Sequence, residues 1–111
     1  MDKNKIKYEY DGVKYTLQYT RASVEFIEDE LGFDINSAKG KVVSSALKLF
    51  RGAFIANHPR VNQDLIDEMY DLFEDKQGLF KNLLDMYVET YNALFEEPKD
   101  DGKNIKWERA K

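Results

Sequence analysis

The chain has 111 residues, the size of one domain, and its 42% apolar content is enough for a globular core, which excludes a disordered chain. It contains no cysteine, so disulfides, thiolate metal sites and thiol nucleophiles are excluded and a reducing compartment fits best. The net charge of −4 argues against nucleic-acid binding, and no stretch is apolar enough for a signal peptide or a membrane span, so we expect a cytoplasmic protein without nucleic-acid or membrane partners.

The first predicted element is a β-hairpin over residues 5–19, where side chains alternate between two faces on either side of Asp11-Gly12. This pair is preferred in the two-residue type I′ turn, whose two residues both need a positive φ angle. A lone hairpin is marginal in water, so its aromatic face should pack on helices. That face carries Tyr8, Tyr10, Tyr15 and Leu17.

Apolar residues at helical spacing predict four helices, at about residues 21–31, 41–57, 63–76 and 79–96. Thr20 and Asn62 are suited to cap the first and third helices. Gly32 is expected to end the first helix in a left-handed conformation, and Gly78 to separate the third from the fourth.

The second of these helices, KVVSSALKLFRGAFIAN over residues 41–57, is expected to be the central one. Its apolar arc covers about half of the helix circumference, wider than the stripe of an ordinary surface helix, so more than one neighbour must cover it. Gly52 lies inside it and indicates either the close approach of another element or a hinge. The arc consists of Val42, Val43, Ala46, Leu47, Leu49, Phe50, Ala53 and Phe54.

The sequence therefore predicts an α+β, mainly α fold, in which an N-terminal two-stranded hairpin packs on a bundle of about four helices. Residues 1–97 would form a single globular domain, and the polar residues 98–111 a mobile tail. Ile105 and Trp107 are unusual in such a tail. The tail could stay disordered, order on a partner, or fold back as a strand with these two side chains on one face.

No catalytic or metal-binding constellation is present, so we expect no enzymatic activity, no cofactor and no metal site. His58 is the only histidine, and its place before Pro59 at the end of the central helix favours a role in capping carbonyl groups. The acidic face of the third helix fits either a solvated surface or a surface for a basic partner.

The fourth helix carries an aromatic ridge of Tyr87, Tyr91 and Phe95. Such a ridge is either core or contact surface. Because a small bundle has few elements to cover the wide apolar faces of two helices, part of them is expected to stay exposed and to bind a partner. The candidate partner-binding residues are Tyr87, Tyr91, Phe95 and Trp107.

The order of features resembles the small tail assembly chaperones of long-tailed phages and prophages of Gram-positive bacteria. The resemblance rests on the hairpin region YEYDGVKYTLQYTRASVEFIE, the loop LGFDIN and the central LKLFRGAFIANHP, and covers most of residues 6–97. It implies a mainly helical α+β fold and a non-enzymatic role in the host cytoplasm. That role is to bind the long, helical tape-measure protein and keep it soluble during tail assembly, with a homo-oligomer left open.

The alternative is a small acidic helical adaptor, or a phage-encoded regulator or inhibitor of a host protein. Its acidic third helix would mimic nucleic-acid charge or meet a basic partner. Binding would run through Asp67, Asp71 and Glu74 and would weaken steeply as salt rises.

Overall fold

The computed structural model describes residues 4–38, 40–98 and 102–110. An antiparallel two-stranded hairpin is followed by four α-helices, which confirms the predicted α+β, mainly α fold. The elements are β1 (Lys5–Tyr10), β2 (Val13–Gln18), α1 (Arg21–Asp29), α2 (Val42–Gly52), α3 (Gln63–Leu72) and α4 (Lys76–Ala93), with a short 3₁₀ turn at Ile35–Ser37.

The hairpin forms around the predicted turn. Asp11 and Gly12 have φ angles of 52° and 78°, as a type I′ turn requires. Tyr8 lies opposite Tyr15 in the register, and their rings stack with centroids 5.3 Å apart. Tyr15 and Leu17 are buried, so the predicted aromatic face does pack on the helices.

Helix α2 contacts α1, α3 and α4, so it is the central helix, as predicted. Leu49 and Phe50 are fully buried, and the Phe50 ring meets three other rings edge-on: those of Phe54, Tyr70 and Phe73, at centroid distances of 5.2, 5.3 and 5.4 Å. The first turn differs from the prediction. Val42 and Val43 are exposed, and the buried residues of this helix begin at Ser45 and Ala46.

The central helix also ends earlier than predicted, at Gly52 rather than Asn57. Beyond it the chain forms tighter turns, in which Phe54 and Ile55 donate to carbonyls three residues back. In the same segment the carbonyl oxygen of Ala53 accepts a hydrogen bond from the Gln18 N–H at 3.1 Å. The chain after α2 is therefore bonded to β2.

The segment after α2 covers the outer edge of β2. Besides the Ala53–Gln18 bond, His58 Nε2 accepts a hydrogen bond from the Thr16 N–H at 3.0 Å, and the His58 ring packs edge-on against Tyr15. The predicted capping role of His58 is therefore wrong. Its imidazole satisfies a strand N–H instead of a helix carbonyl, and so helps to cover an otherwise open strand edge.

Gly52 marks the close approach of another element, which is one of the two alternatives predicted for it. A Cβ atom at this position would overlap the side chain of Ile27 from α1. The missing side chain therefore lets α1 pack directly on the backbone of α2. Nearby, the buried hydroxyl of Tyr19 donates to the Leu49 carbonyl at 2.6 Å.

Thr20 and Asn62 cap α1 and α3, as predicted, and Gly32 has a positive φ angle of 67°. The boundary between α3 and α4 differs from the prediction. Helix α4 begins at Lys76, and its N-cap Asp75 accepts a hydrogen bond from the Gly78 N–H. Gly78 thus lies inside the first turn of α4 and does not separate the helices.

In the C-terminal tail, residues 102–110 have no regular secondary structure and are exposed. Residues 99–101 and 111, which also belong to the predicted mobile tail, lie outside the described residues. The mobility of the tail stays a prediction.

We expect Phe50→Ala to lower the free energy of unfolding by about 3–5 kcal/mol, because it empties a buried site surrounded by rings. Val43→Ala is the matched control on the same helix, since Val43 is 76% exposed and its loss should cost under about 0.5 kcal/mol. Urea unfolding of both variants and the parent checks this. Equal midpoints for Phe50→Ala and the parent would contradict the position of α2 in the core.

His58→Ala should destabilise the protein by about 1–3 kcal/mol, since it leaves the Thr16 N–H without an acceptor. His58→Gln should recover part of that loss, because its side-chain oxygen can reach a position close to that of Nε2. Thermal melts of the two variants, together with hydrogen exchange at Thr16, test the assignment. Unchanged protection of the Thr16 amide in His58→Ala would refute it.

Candidate protein-binding site

An exposed groove with one apolar wall and one charged wall lies between α1 and the C-terminal end of α4. It encloses a shallow cavity of about 410 Å³. The rings of Tyr91 and Phe95 form its aromatic wall, with centroids 5.5 Å apart. We call this surface the α1–α4 groove. It is lined by Arg21, Val24, Glu25, Glu28, Tyr91, Leu94 and Phe95.

The wall formed by α4 and the residues directly after it continues the helix's buried stripe. Buried side chains of α4 recur at helical spacing up to Tyr87. The same stripe then continues four, seven and eight residues further on, at Tyr91, Leu94 and Phe95, which form one wall of the groove while α1 forms the other. One apolar stripe therefore begins in the core and ends at the surface.

The predicted aromatic residues of the ridge lie in two different environments, the core and the surface. Tyr87 is only 1% exposed, and its ring packs edge-on against Tyr19 and Phe33. It belongs to the core and cannot contact a partner in this conformation. Tyr91 is partly buried, whereas Phe95 is 76% exposed, so these two provide the accessible part of the ridge.

Trp107, the fourth predicted residue, does not line the groove. It lies in the tail and is 85% exposed. The sequence reasoning missed the opposite wall, which α1 provides. The apolar pattern of α4 carries no information about which residues of α1 lie across from it.

The α1 side of the groove is charged and mostly acidic. Arg21 and Glu25 form an ion pair at 3.2 Å on the exposed surface. Glu28 lies close enough to Tyr87 to affect it, because burial first and the Glu28 charge second raise the pKa of Tyr87 to about 12. Two carboxylates and one guanidinium give this wall a net negative charge.

The acidic face of α3 is partly occupied by contacts within the chain. Both carboxylate oxygens of Asp67 accept hydrogen bonds from the Arg51 guanidinium at 2.9 Å. Glu68 accepts a hydrogen bond from the Tyr10 hydroxyl at 2.8 Å. Asp67, a residue that the adaptor hypothesis assigns to a basic partner, is thus already paired.

Among residues 4–38, 40–98 and 102–110, no group of three or more His, Cys, Asp or Glu side chains is arranged to hold a metal ion. Within the same ranges, no helix is long and apolar enough to cross a membrane.

Comparison with known proteins places this chain in a family. The model described as "Domain of unknown function (DUF5055)" matches residues 1–110, so the chain belongs to the DUF5055 family. No curated protein and no solved structure matches the chain.

The raised pKa of Tyr87 predicts alkaline destabilisation. In the unfolded chain a tyrosine ionises near pH 10, whereas in the folded chain Tyr87 stays neutral up to about pH 12. Its contribution to stability is therefore fully present below about pH 10 and is lost as the pH rises through the folded pKa. In urea titrations, Tyr87→Phe should show a smaller loss of unfolding free energy than the parent between about pH 10 and 12. Identical losses would contradict this.

Proposed function

We propose that this member of the DUF5055 family is a tail assembly chaperone of a long-tailed phage or prophage. It would hold helical segments of a tape-measure protein in the α1–α4 groove, in the host cytoplasm and without catalysis or a cofactor. The observation that carries the proposal is the exposed end of the α4 stripe, where Tyr91, Leu94 and Phe95 lie side by side facing solvent. The family resemblance of the sequence supports the choice of partner.

The groove suits an amphipathic helix. Such a helix presents apolar side chains at positions i, i+3, i+4 and i+7 along one face, which can pack on the aromatic wall of the groove. Aromatic side chains are favoured anchors because they bury a large area with few rotatable bonds. Phe95 and Tyr91 would be the anchors on this side.

The charged α1 wall adds selectivity. Glu25 and Glu28 favour partner helices that carry Lys or Arg beside the apolar stripe and disfavour acidic ones. These charges are exposed to solvent, so salt screens them, and they contribute little to affinity. Burial of apolar area would provide most of the binding energy, and binding should persist at high salt.

A shallow groove also suits a temporary partner. A tape-measure chain exposes apolar helical stripes before the tail tube encloses it, and each stripe needs cover only until it packs against its final neighbours. Stoichiometric binding of this kind needs no nucleotide, and the sequence contains no phosphate-binding GxxxxGK[ST] loop.

The acidic adaptor is the weaker candidate. Its proposed surface on α3 includes Asp67, which Arg51 already binds through both carboxylate oxygens. A basic partner would first have to break that bidentate pair, which costs more than capturing a free carboxylate. Asp71 and Glu74 remain exposed, and a steep salt dependence would reveal their use.

The test is co-expression with the long gene product that the proposal expects to be encoded beside this chain, the candidate tape-measure protein, followed by gel filtration at about 0.1 M and 1 M salt. We expect a soluble complex at both salt concentrations. Phe95→Ser should weaken it by about tenfold or more, since it removes an exposed anchor. Val43→Ser is the matched control, because Val43 and Phe95 are both 76% exposed but Val43 lies outside the groove.

Both variants should melt like the parent, so that a loss of binding cannot be attributed to unfolding. Equal solubility of the tape-measure protein with and without this chain would end the chaperone proposal. Equal binding by Phe95→Ser and Val43→Ser would exclude the groove as the site, and a complex that dissociates at high salt would favour the acidic face of α3.

A further inference from the structure

Strand β1 has an open edge. Thr16 and Gln18 of β2 turn their N–H groups away from β1, toward His58 and Ala53. In an antiparallel pair, residues that lie opposite each other turn their backbone groups the same way, inward or outward. Lys7 lies opposite Thr16, so the backbone groups of Lys7 and Glu9 face outward. No other strand in the described part of the chain pairs with them.

An apolar cavity of about 390 Å³ lies beside this edge, between β1 and the C-terminal end of α3. Leu72 is 62% exposed there. A strand added to β1 would direct every second side chain toward this cavity, on the face that Tyr8 and Tyr10 share. The cavity is lined by Tyr8, Glu9, Tyr10, Met69, Leu72, Phe73 and Glu74.

The tail carries a matching pattern. Over residues 105–110, Ile-Lys-Trp-Glu-Arg-Ala, apolar and charged side chains alternate at first. Ile105 and Trp107 are 90% and 85% exposed, which is unfavourable for side chains of this size. In a strand they would share one face, with Lys106 and Glu108 on the other.

Charge selects one register for pairing this segment with β1. With Trp107 opposite Tyr8 in an antiparallel pair, Glu108 falls opposite Lys7 and Lys106 opposite Glu9, so both solvent-facing pairs have opposite charges. A shift of two residues places Lys7 against Lys106, or Glu9 against Glu108. A shift of one residue turns Trp107 to solvent. Like charges directly opposite destabilise a sheet, so the first register is favoured.

We propose that the open edge of β1 receives residues 105–110 of a second copy of this chain, and that two copies exchange their tails reciprocally. The favoured register places Ile105 beside Tyr10, at the hairpin turn. The chain leaves α4 near the other end of β1, because Ala93 and Glu96 line a cavity together with Asn4. A chain's own tail would have to run the length of β1 and reverse, whereas the tail of a second copy can approach from the turn end.

Reciprocal exchange forms the same contact twice about a two-fold axis, as closed dimers require. Each copy then hides one strand edge and one tryptophan. The exchange uses β1, the end of α3 and the tail, and none of the residues that line the α1–α4 groove. The exchange of tails and the chaperone function can therefore be tested independently of each other.

The experiment uses the full chain and its single tryptophan, Trp107, as the reporter. Light scattering coupled to gel filtration should show a monomer-to-dimer transition with rising concentration. Trp107 emission should shift to the blue over the same range, as its ring leaves water.

Charge reversal tests the register. Lys7→Glu alone and Glu108→Lys alone should each weaken the dimer by about tenfold, since each turns an attractive pair into a repulsive one at two symmetric places. The double variant should restore it. Lys81→Glu is the matched control, because Lys81 is exposed on α4 and outside the interface, and it should leave the dimer unchanged.

A monomer whose Trp107 emission stays red at every concentration would overturn the proposal. A monomer with blue-shifted emission at all concentrations would also overturn it, since the tail would then bind its own chain. A dimer that none of the charge reversals affects would exclude the proposed register and with it the β1 edge.

Discussion

The arrangement of hairpin and helices depends on one hydrogen bond, from the Gln18 N–H to the Ala53 carbonyl. It lies directly after the end of α2 and holds the following residues along the edge of β2, where His58 satisfies the next outward N–H. The same turn brings Phe54 under Tyr15, with ring centroids 6.0 Å apart. At this point Gly52 lies directly beneath Ile27, so the end of α2 positions both the hairpin and α1. Unpaired backbone groups are costly to bury, and this segment provides acceptors for the outward N–H groups of Thr16 and Gln18.

Local sequence signals predicted the fold where local chemistry decides the structure. The Asp11-Gly12 pair fixed the turn of the hairpin, and Thr20 and Asn62 fixed two helix starts, because each acts through groups within a few residues. The end of α2 could not be predicted in this way. Phe54 continues the helical spacing of apolar residues, but a strand residue more than thirty positions away takes the carbonyl next to it. The prediction that Gly78 separates two helices was wrong for a related reason. Its N–H donates to the Asp75 side chain, and the absence of a Cβ leaves room for that cap.

In the candidate site, too, local sequence predicted some features, and tertiary packing determined the others. The spacing of aromatic residues on α4 predicted a ridge, and Tyr91 and Phe95 do lie together at the surface. Periodicity could not show where this ridge passes from core to solvent, since that depends on the length of α1 and on how it crosses α4. Tyr87 therefore falls in the core, beside Tyr19 and Phe33, although its position on the stripe is equivalent to that of Tyr91. The charged wall of the groove, from Arg21 to Glu28, follows from tertiary packing alone.

The two proposed surfaces have a joint consequence for binding. A pair of copies joined through β1 would carry two α1–α4 grooves, because the exchange of tails leaves Tyr91 and Phe95 uncovered. A tape-measure chain is long and repeats its apolar stripes, so two linked grooves could engage two segments of one chain. The second contact then forms at a high effective concentration, and weak grooves can together hold a ligand firmly. Under these proposals each groove alone would still release its segment quickly, which is the property a temporary partner needs when the ligand's own helices begin to pack.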